Sequence, residues 1–339
     1  MSKLRHASSL ILVTRNGLVK NPIAKNNDIS TVALRRSQKA SHFPDSYVFP
    51  GGYCDPADEN PDWLKVLPQS ELNVQLNLKE KLPESSSNSV LPKAVSRRIT
   101  AIRETFEECG ILLCKQETNS IEFLAKNYEL ENKDIWREKI RNDPFEFYNF
   151  CQTYKCFPNL KCLHLLSNWI TPITYLKRFN SIFFIAAVDH EIESEADHKE
   201  IQVVKWGPVN YFLNDENIFL PPPQVYELMR LRNFANFDVL CKFLTKLDNT
   251  ICEAYLPIHV NTSDGFVMIL PGDEKYEEFL NMLTGNTIDL EYEIVRFRGK
   301  IMNRVEYKYQ DGSKATKAEA IVKNVGTDNL TDTHLQSKL

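Results

Sequence analysis

Glycine is scarce in this chain, with 11 among 339 residues. None falls in G-x-G-x-x-G or G-x-x-x-x-G-K, which excludes the two common glycine-rich phosphate cradles. The eight cysteines (Cys54, Cys109, Cys114, Cys151, Cys156, Cys162, Cys241 and Cys252) form no C-x-x-C pair, so they read as reduced thiols and no zinc site is expected. The seven histidines show no metal-ligand spacing either. The longest uncharged apolar run, residues 182–188, falls far short of the roughly 20 residues a membrane-spanning helix needs. Charge of one sign is also missing: 41 Lys and Arg stand against 45 Asp and Glu, a net of -4. Such a balance leaves no global footprint for nucleic acid or an anionic membrane, so any bound anion must meet a local cationic cluster.

What is present is the composition of a globular domain, 42% hydrophobic and 25% charged. Short β-branched and aliphatic runs at residues 9–14, 31–34, 47–49, 111–113, 165–170, 182–188 and 203–206 predict strands. Helical patterns interleave with some of them, at 94–109, at 133–154 and at 224–234 after Pro221-Pro222-Pro223. The interleaving predicts an α/β class fold with a mixed sheet. Residues 59–92 are rich in Pro, Ser, Asn and Glu and read as a partly flexible insertion. The expected organisation is a main domain over 1–250, an extension over 251–313 packed on it with strands at 259–261, 266–270 and 294–297, and a flexible tail over 314–339.

The most informative stretch is AVSRRITAIRETFEECGI at residues 94–111. Val95, Ile99, Ile102, Phe106 and Cys109 recur as one apolar stripe of a helix, and Gly110 supplies its stop. Glu104, Glu107 and Glu108 stand at i, i+3 and i+4, so their carboxylates share another face and converge on a small volume. Each like-charged pair at this spacing costs about 0.2–0.5 kcal/mol, a repulsion that a hard divalent cation with oxygen ligands would turn into attraction. The same pattern also suits a solvated acidic face with Arg103 as counter-charge. The neighbourhood favours the metal reading, because Gly51-Gly52 ends the strand at 47–49 and Asp58 follows six residues after Gly52.

With RETFEECGI this arrangement resembles the Nudix box, G-x5-E-x7-R-E-U-x-E-E-x-G-U, where U is bulky and apolar. Asp58 stands for the usual glutamate, Thr105 for the usual aliphatic residue, and about 37 extra residues separate Asp58 from Arg103. The insertion inside the box, VFPGGYCDPAD at 48–58, WITP at 169–172 followed by Arg178-Phe179, LPPPQVYELMRL at 220–231 and LPGDEKY at 270–276 together are similar to the motif-19 branch of the Nudix hydrolases, the peroxisomal acyl-coenzyme A diphosphatases. The resemblance implies a Nudix α/β/α sandwich with an insertion in the box and a C-terminal extension. It implies Glu104, Glu107 and Glu108 as ligands of Mg²⁺ or Mn²⁺, Arg103 as the group orienting a glutamate, and Gly51 and Gly52 as the floor beneath a diphosphate. Glu107 is the candidate general base, with Glu200 as a second one.

The implied reaction is hydrolysis of coenzyme A or acyl-coenzyme A to 3′,5′-ADP and 4′-phosphopantetheine or its acyl form. Two alternatives stay open: the same chemistry on another dinucleotide such as NADH, or a module that binds acyl-coenzyme A without cleaving it. Related family members carry a coenzyme A signature in which Arg36-Ser37 and Phe49-Pro50-Gly51-Gly52 match at the correct separation, while Ser41 replaces an arginine and Asp45 a glycine. Arg36 and Ser37 are thus candidate cofactor-end contacts, with Arg35, Lys39, Arg97 and Arg98 as further cations read as solvated unless recruited. Tyr226 and Leu231 read as packing residues, on a helix that could line the acyl end. Ser337-Lys338-Leu339 is the tripeptide that a peroxisomal import receptor reads, which predicts a peroxisomal protein; the basic, acid-free residues 1–27 keep a mitochondrial fraction as the minor alternative.

Overall fold

The structure is a computed structural model, and it describes residues 4–17, 28–79, 91–116, 123–247, 249–262, 264–284, 300–310 and 314–322. The chain begins with strands β1 (Arg5–Arg15), β2 (Ile29–Arg36), β3 (Tyr47–Val48) and β4 (Gly51–Tyr53), then a short helix α1 (Gln69–Leu72) and the long helix α2 (Lys93–Cys109). It continues through β5 (Cys114–Lys115), α3 (Lys133–Asn142), α4 (Glu146–Tyr154), β6 (Phe157–Pro158), β7 (His164–Ile170), β8 (Phe179–Ala187) and β9 (Ile201–Pro208). Helices α5 (Val209–Asn214), α6 (Pro222–Arg232) and α7 (Phe237–Leu247) follow. The last part holds β10 (Ala254–Tyr255), β11 (Ile258–Thr262), β12 (Gly265–Ile269), α8 (Tyr276–Thr284), β13 (Asn303–Gln310) and β14 (Lys314–Val322).

An eight-stranded sheet runs β10-β7-β8-β1-β2-β3, with β4 also on β1 and β9 on β2. It is mixed, because β1 and β8 pair in parallel while β1 pairs antiparallel with β2 and β4. Leu10 to Val13 are buried without exception, as expected of a central strand covered on both faces. Alternation splits them: Leu10 and Leu12 join Val32 and Leu34 against the α2 stripe of Val95, Ile99, Ile102 and Phe106, while Ile11 and Val13 face Phe212, Tyr226 and Leu240 of α5 to α7. This is an α/β/α sandwich, the layering the sequence implied.

The four-stranded antiparallel sheet β11-β12-β13-β14 is tied into the second of these cores. Met268, Leu270, Val305 and Tyr307 share it with Trp169, Tyr226 and Leu231. The Tyr226 hydroxyl donates to Asn303 Oδ1 at 3.1 Å and the Tyr307 hydroxyl to the Leu220 carbonyl at 2.7 Å. Tyr226 and Leu231 are therefore packing residues.

Several boundaries differ from the sequence reading. Residues 111–113 are buried but form no strand, since Asn127 Oδ1 accepts from the Leu112 N–H and the Tyr128 N–H is given to the Leu112 carbonyl; the ladder starts at Cys114. The helix expected over 133–154 is two, α3 and α4, broken at Asp143-Pro144 because proline restricts the residue before it. Helix α6 starts at Pro222, so two prolines occupy the first turn, where no amide donor is needed. The stretch Lys314–Val322, expected as flexible tail, is β14, paired with β13 from Asn303↔Val322 to Gln310↔Lys314. Its alternation Lys317-Ala318-Glu319-Ala320 is the period-2 pattern a strand needs. The strand expected at 294–297, residues 80–90 of the insertion and the terminal Ser337-Lys338-Leu339 lie outside the described residues.

All eight cysteines are free, as expected of reduced thiols. Cys114, Cys151 and Cys156 nevertheless bring their sulfurs within 4.8 Å of one another in the α2-side core, a convergence that spacing along the chain does not announce.

Candidate active site

The apolar stripe of α2 is entirely buried, and that burial locks the rotation of the helix. Its C-terminus is held just as firmly. Gly110 takes a left-handed conformation (φ 73°) and its N–H returns to the Phe106 carbonyl. Arg137 of α3, buried, donates to the carbonyls of Phe106 (3.1 Å), Glu107 (3.1 Å), Glu108 (3.1 Å) and Glu195 (2.9 Å), and Arg141 adds a bond to Glu107 O at 3.0 Å. Two cations at a helix C-terminus satisfy carbonyls with no intrahelical partner and oppose the helix dipole favourably. Neither arginine carries a sequence signal for this role, because the partner lies some 30 positions away and the contact is to backbone.

The acidic face of α2 is not a solvated face. Glu107 and Glu108 are 7% and 5% exposed, and strand β4 lies over them. The Gly51 N–H donates to Glu108 Oε2 at 2.8 Å. A Cβ on Gly52 would fall on the Glu104 carboxylate, and one on Gly51 would fall on the Ser8 carbonyl. The two glycines therefore let a strand approach a carboxylate cluster to backbone distance.

Arg103 is the hub. Its Nε and Nη2 donate to Asp58 at 2.8 and 2.9 Å, its Nη1 to Glu107 Oε1 at 2.6 Å, and Nη2 also lies 2.9 Å from Glu104 Oε1 and 3.1 Å from the Tyr53 carbonyl. Asp58 accepts in addition from Thr100 Oγ1 (2.7 Å) and the Asp55 N–H (3.1 Å). Asp58 is thus the acid of the box in spite of its shorter side chain and of the insertion that separates it from Arg103. Thr105, in place of an aliphatic residue, returns its hydroxyl to Ala101 O at 2.7 Å and packs unexposed.

The electrostatics follow from this crowding. Burial, together with Glu107 and Asp58, pushes the Glu104 carboxyl up to about 7 against the pull of Arg103. Burial likewise raises Glu107, and burial with the Glu104 charge raises Glu108 well above the carboxylate range, opposed by the Gly51 N–H. Glu104 and Glu107 meet at Arg103 and Glu108 takes the Gly51 N–H, so their oxygens are not drawn within 4.8 Å of one another; three carboxylates on one helix face under β4 are nevertheless an all-oxygen donor set, the chemistry that suits a hard divalent cation.

The other predicted residues divide. Arg36, half-buried at the end of β2, has no partner on Nε among the described residues, and its charge lowers Glu108. The Ser37 N–H donates to the Glu200 carbonyl at 2.7 Å, and the Glu200 charge raises Glu108, so Arg36, Ser37 and Glu200 border the carboxylates. Asp45, at the glycine position of the coenzyme A signature, has φ 60° and pairs with Arg35 at 2.7 Å; a left-handed turn explains why glycine suits that position. Lys39 is exposed. Arg97 and Arg98, read as solvated charges, are instead buried in α2. Arg97 Nη1 donates to Cys54 Sγ at 2.6 Å, and Arg98 gives hydrogen bonds to the carbonyls of Leu163, Ala94 and Gln75 and lies over the Phe184 ring. Both sit on a helix buried on every side, so Arg98 is a structural cation and no surface contact is open to it.

A second feature adjoins this site. A pocket of about 350 Å³ is lined mainly by Phe43, Trp169, Tyr175, Phe179, Phe183 and Met268. It opens beside β4: Ser9, in its wall, is the β1 partner of Gly51, and the Phe179 ring meets that of Tyr53 at 5.4 Å.

A glutamate-bearing helix held under a Gly-Gly strand in an α/β/α sandwich defines a Nudix hydrolase, and the model of the NUDT19 Nudix domain matches residues 4–231. The chain belongs to that family. It is 36% identical to the acyl-coenzyme A diphosphatase NUDT19 of Xenopus laevis over 285 residues, covering 77% of this chain and 75% of the relative. With the human protein of the same name it shares 34% over 269 residues, covering 72% of each. The fold matches that of a Nudix hydrolase from Alicyclobacillus acidocaldarius with a TM-score of 0.55 at 18% identity, over 74% of this chain and 98% of that one. Nudix hydrolases use divalent metal ions, in agreement with the donor set.

Proposed function

We propose that this chain hydrolyses the diphosphate of coenzyme A and acyl-coenzyme A, giving 3′,5′-ADP and 4′-phosphopantetheine or its acyl form. The observation that carries the reading is the acidic face of α2 beneath Gly51-Gly52, with Glu107 and Glu108 buried and Glu104 partly exposed, in a chain whose relatives bear the acyl-coenzyme A diphosphatase name. Mg²⁺ or Mn²⁺ held by the trio would neutralise phosphate oxygens and lower the pKa of water at the reacting phosphorus. The chain's own contribution is positioning. Arg103, anchored by Asp58, holds Glu107 through Oε1 and leaves Oε2 to take the proton of the attacking water. Gly51 and Gly52 present backbone at the diphosphate, above the buried Glu107 and Glu108. Arg36, with its free Nε, and Ser37 are the contacts proposed for the phosphorylated nucleotide end.

The test is incubation of the purified protein with coenzyme A and a medium-chain acyl-coenzyme A, with and without Mg²⁺ or Mn²⁺, with Glu108→Gln as control. Metal-dependent release of 3′,5′-ADP that disappears in the variant is expected. Cleavage of NADH in preference to either substrate would replace the reading, and tight binding without turnover would make the chain a sensor. The proposed site of action is the peroxisome, on the strength of Ser337-Lys338-Leu339. Removing those three residues should leave the protein in the cytosol; retained peroxisomal import would refute the assignment.

A further inference from the structure

The pocket beside β4 is built from two parts of the chain that the site does not otherwise join. Ser9, Phe179, Ser181 and Phe183 come from the main sheet, whereas Pro257 and Met268 come from the segment beyond α7 that forms the second sheet. Its lining is mostly aromatic and aliphatic, with Ser9, His42, Thr171, Lys177 and Ser181 at intervals. At about 350 Å³ it sits at the low end of small-molecule sites, too small for a whole nucleotide conjugate and large enough for one arm of it.

One polar group in the wall is left over. Gln224, in the first turn of α6 and 8% exposed, has an Oε1 with no hydrogen-bond partner among the described residues. A buried amide oxygen without a donor is costly unless something supplies one. In a pocket lined mostly by apolar side chains, the complementary ligand is a largely apolar chain that carries an N–H. The carboxylates and Arg103 stand on the α2 face of the sheet with Leu10 and Leu12, whereas Ser9 alternates to the opposite face with Ile11 and Val13. A ligand whose diphosphate lies at Gly51-Gly52 can therefore send one arm across the edge of β4 into this pocket.

We propose that the pocket seats the amide-bearing arm of the substrate and the first carbons of its acyl chain, with Gln224 Oε1 accepting an amide N–H and Met268 closing the far end. Chain selection is then a property of the second sheet and not of the Nudix core. This inference rests on the proposed function, since pantetheine is the part of coenzyme A with the required chemistry: two secondary amides on a flexible, uncharged chain ending in a thiol or thioester.

The experiment compares the full-length protein with Met268→Trp and Gln224→Leu, using free coenzyme A and acyl-coenzyme A of increasing chain length. Met268→Trp should lower the ratio of long-chain to free coenzyme A kcat/KM by tenfold or more. Gln224→Leu should raise KM for all of them by about two- to tenfold, the effect of one neutral hydrogen bond, with a smaller effect on kcat. An unchanged chain-length profile in Met268→Trp, or an unchanged KM in Gln224→Leu, overturns the assignment. Calorimetry with acyl-pantetheine, which lacks the diphosphate, separates this idea from the reaction itself. Binding to the wild type that weakens in both variants supports the pocket even if no substrate is cleaved. Absence of such binding in a protein that does cleave acyl-coenzyme A refutes the pocket and leaves the function standing. Unfolding midpoints of both variants within a few degrees of wild type establish that the changes are local.

Discussion

Replacing Asp58 by alanine removes an acid 1% exposed from an arginine 3% exposed, and with it four accepted hydrogen bonds: two from Arg103, one from Thr100 and one from the Asp55 N–H. Little solvent remains to screen the pair, so the low values typical of surface ion pairs do not apply. Truncating one partner of a buried, hydrogen-bonded pair leaves an uncompensated charge and costs about 3–5 kcal/mol. Arg103 would still meet Glu104 and Glu107, which places the expected loss toward the lower end, at about 3 kcal/mol. The matched control is Glu253→Ala, which breaks the exposed pair with Lys79 (59% and 64% exposed) and should cost at most about 1 kcal/mol. Urea unfolding at neutral pH measures both. Metal affinity should fall as well in Asp58→Ala, because Arg103 orients Glu107, while Asp58→Glu, restoring the acid usual in the box, should recover part of both losses. A loss under about 1 kcal/mol in Asp58→Ala, with metal affinity unchanged, would refute the hub role of Arg103.

Three further outcomes are expected. Glu108→Gln keeps an acceptor for the Gly51 N–H while removing a buried charge, so it should abolish turnover yet raise the metal-free unfolding midpoint, by about 2–4 °C for each kcal/mol relieved; a lowered midpoint contradicts the repulsion argument. Because burial moves Glu104 from 4.5 up to about 7, the folded chain holds a proton there that the unfolded chain has lost. Stability from this group is complete below pH 4.5 and declines as the pH passes through 7 in the absence of metal, whereas divalent-ion affinity rises over the same interval; calorimetry at pH 6 and 8 reads the second effect, and a pH-independent affinity counts against it. Gly52→Ala places a methyl group on the Glu104 carboxylate, and a displacement near 1 Å in such a site costs about 100-fold in rate; activity within a few-fold of wild type would show that β4 yields freely.

The local parts of this molecule are written in short-range pattern. The stripe from Val95 to Cys109, the stop at Gly110, the E-x-x-E-E spacing and the aliphatic run at Leu10 to Val13 depend on neighbours within a few residues, and they determine helix α2, its acidic face and the central strand. The family pattern added the meaning of that face. Tertiary structure decided what the spacing left open: whether the three acids stand in open water or lie beneath β4, and which distant groups answer them. Asp58 reaches Arg103 across the insertion because the turn at residues 56–59 packs directly on α2, and Arg137 reaches the end of α2 because α3 packs there. Arg97 and Arg98 look like surface charges in a linear chain and are buried because α2 is covered on every side. The joining of the second sheet to the main core through Tyr226, Asn303 and Tyr307, and the pocket wall that results, has no local signature at all. Short-range patterns report the periodicity of burial, whereas partners separated by tens of residues are chosen by how the layers pack, and that choice exists only in three dimensions.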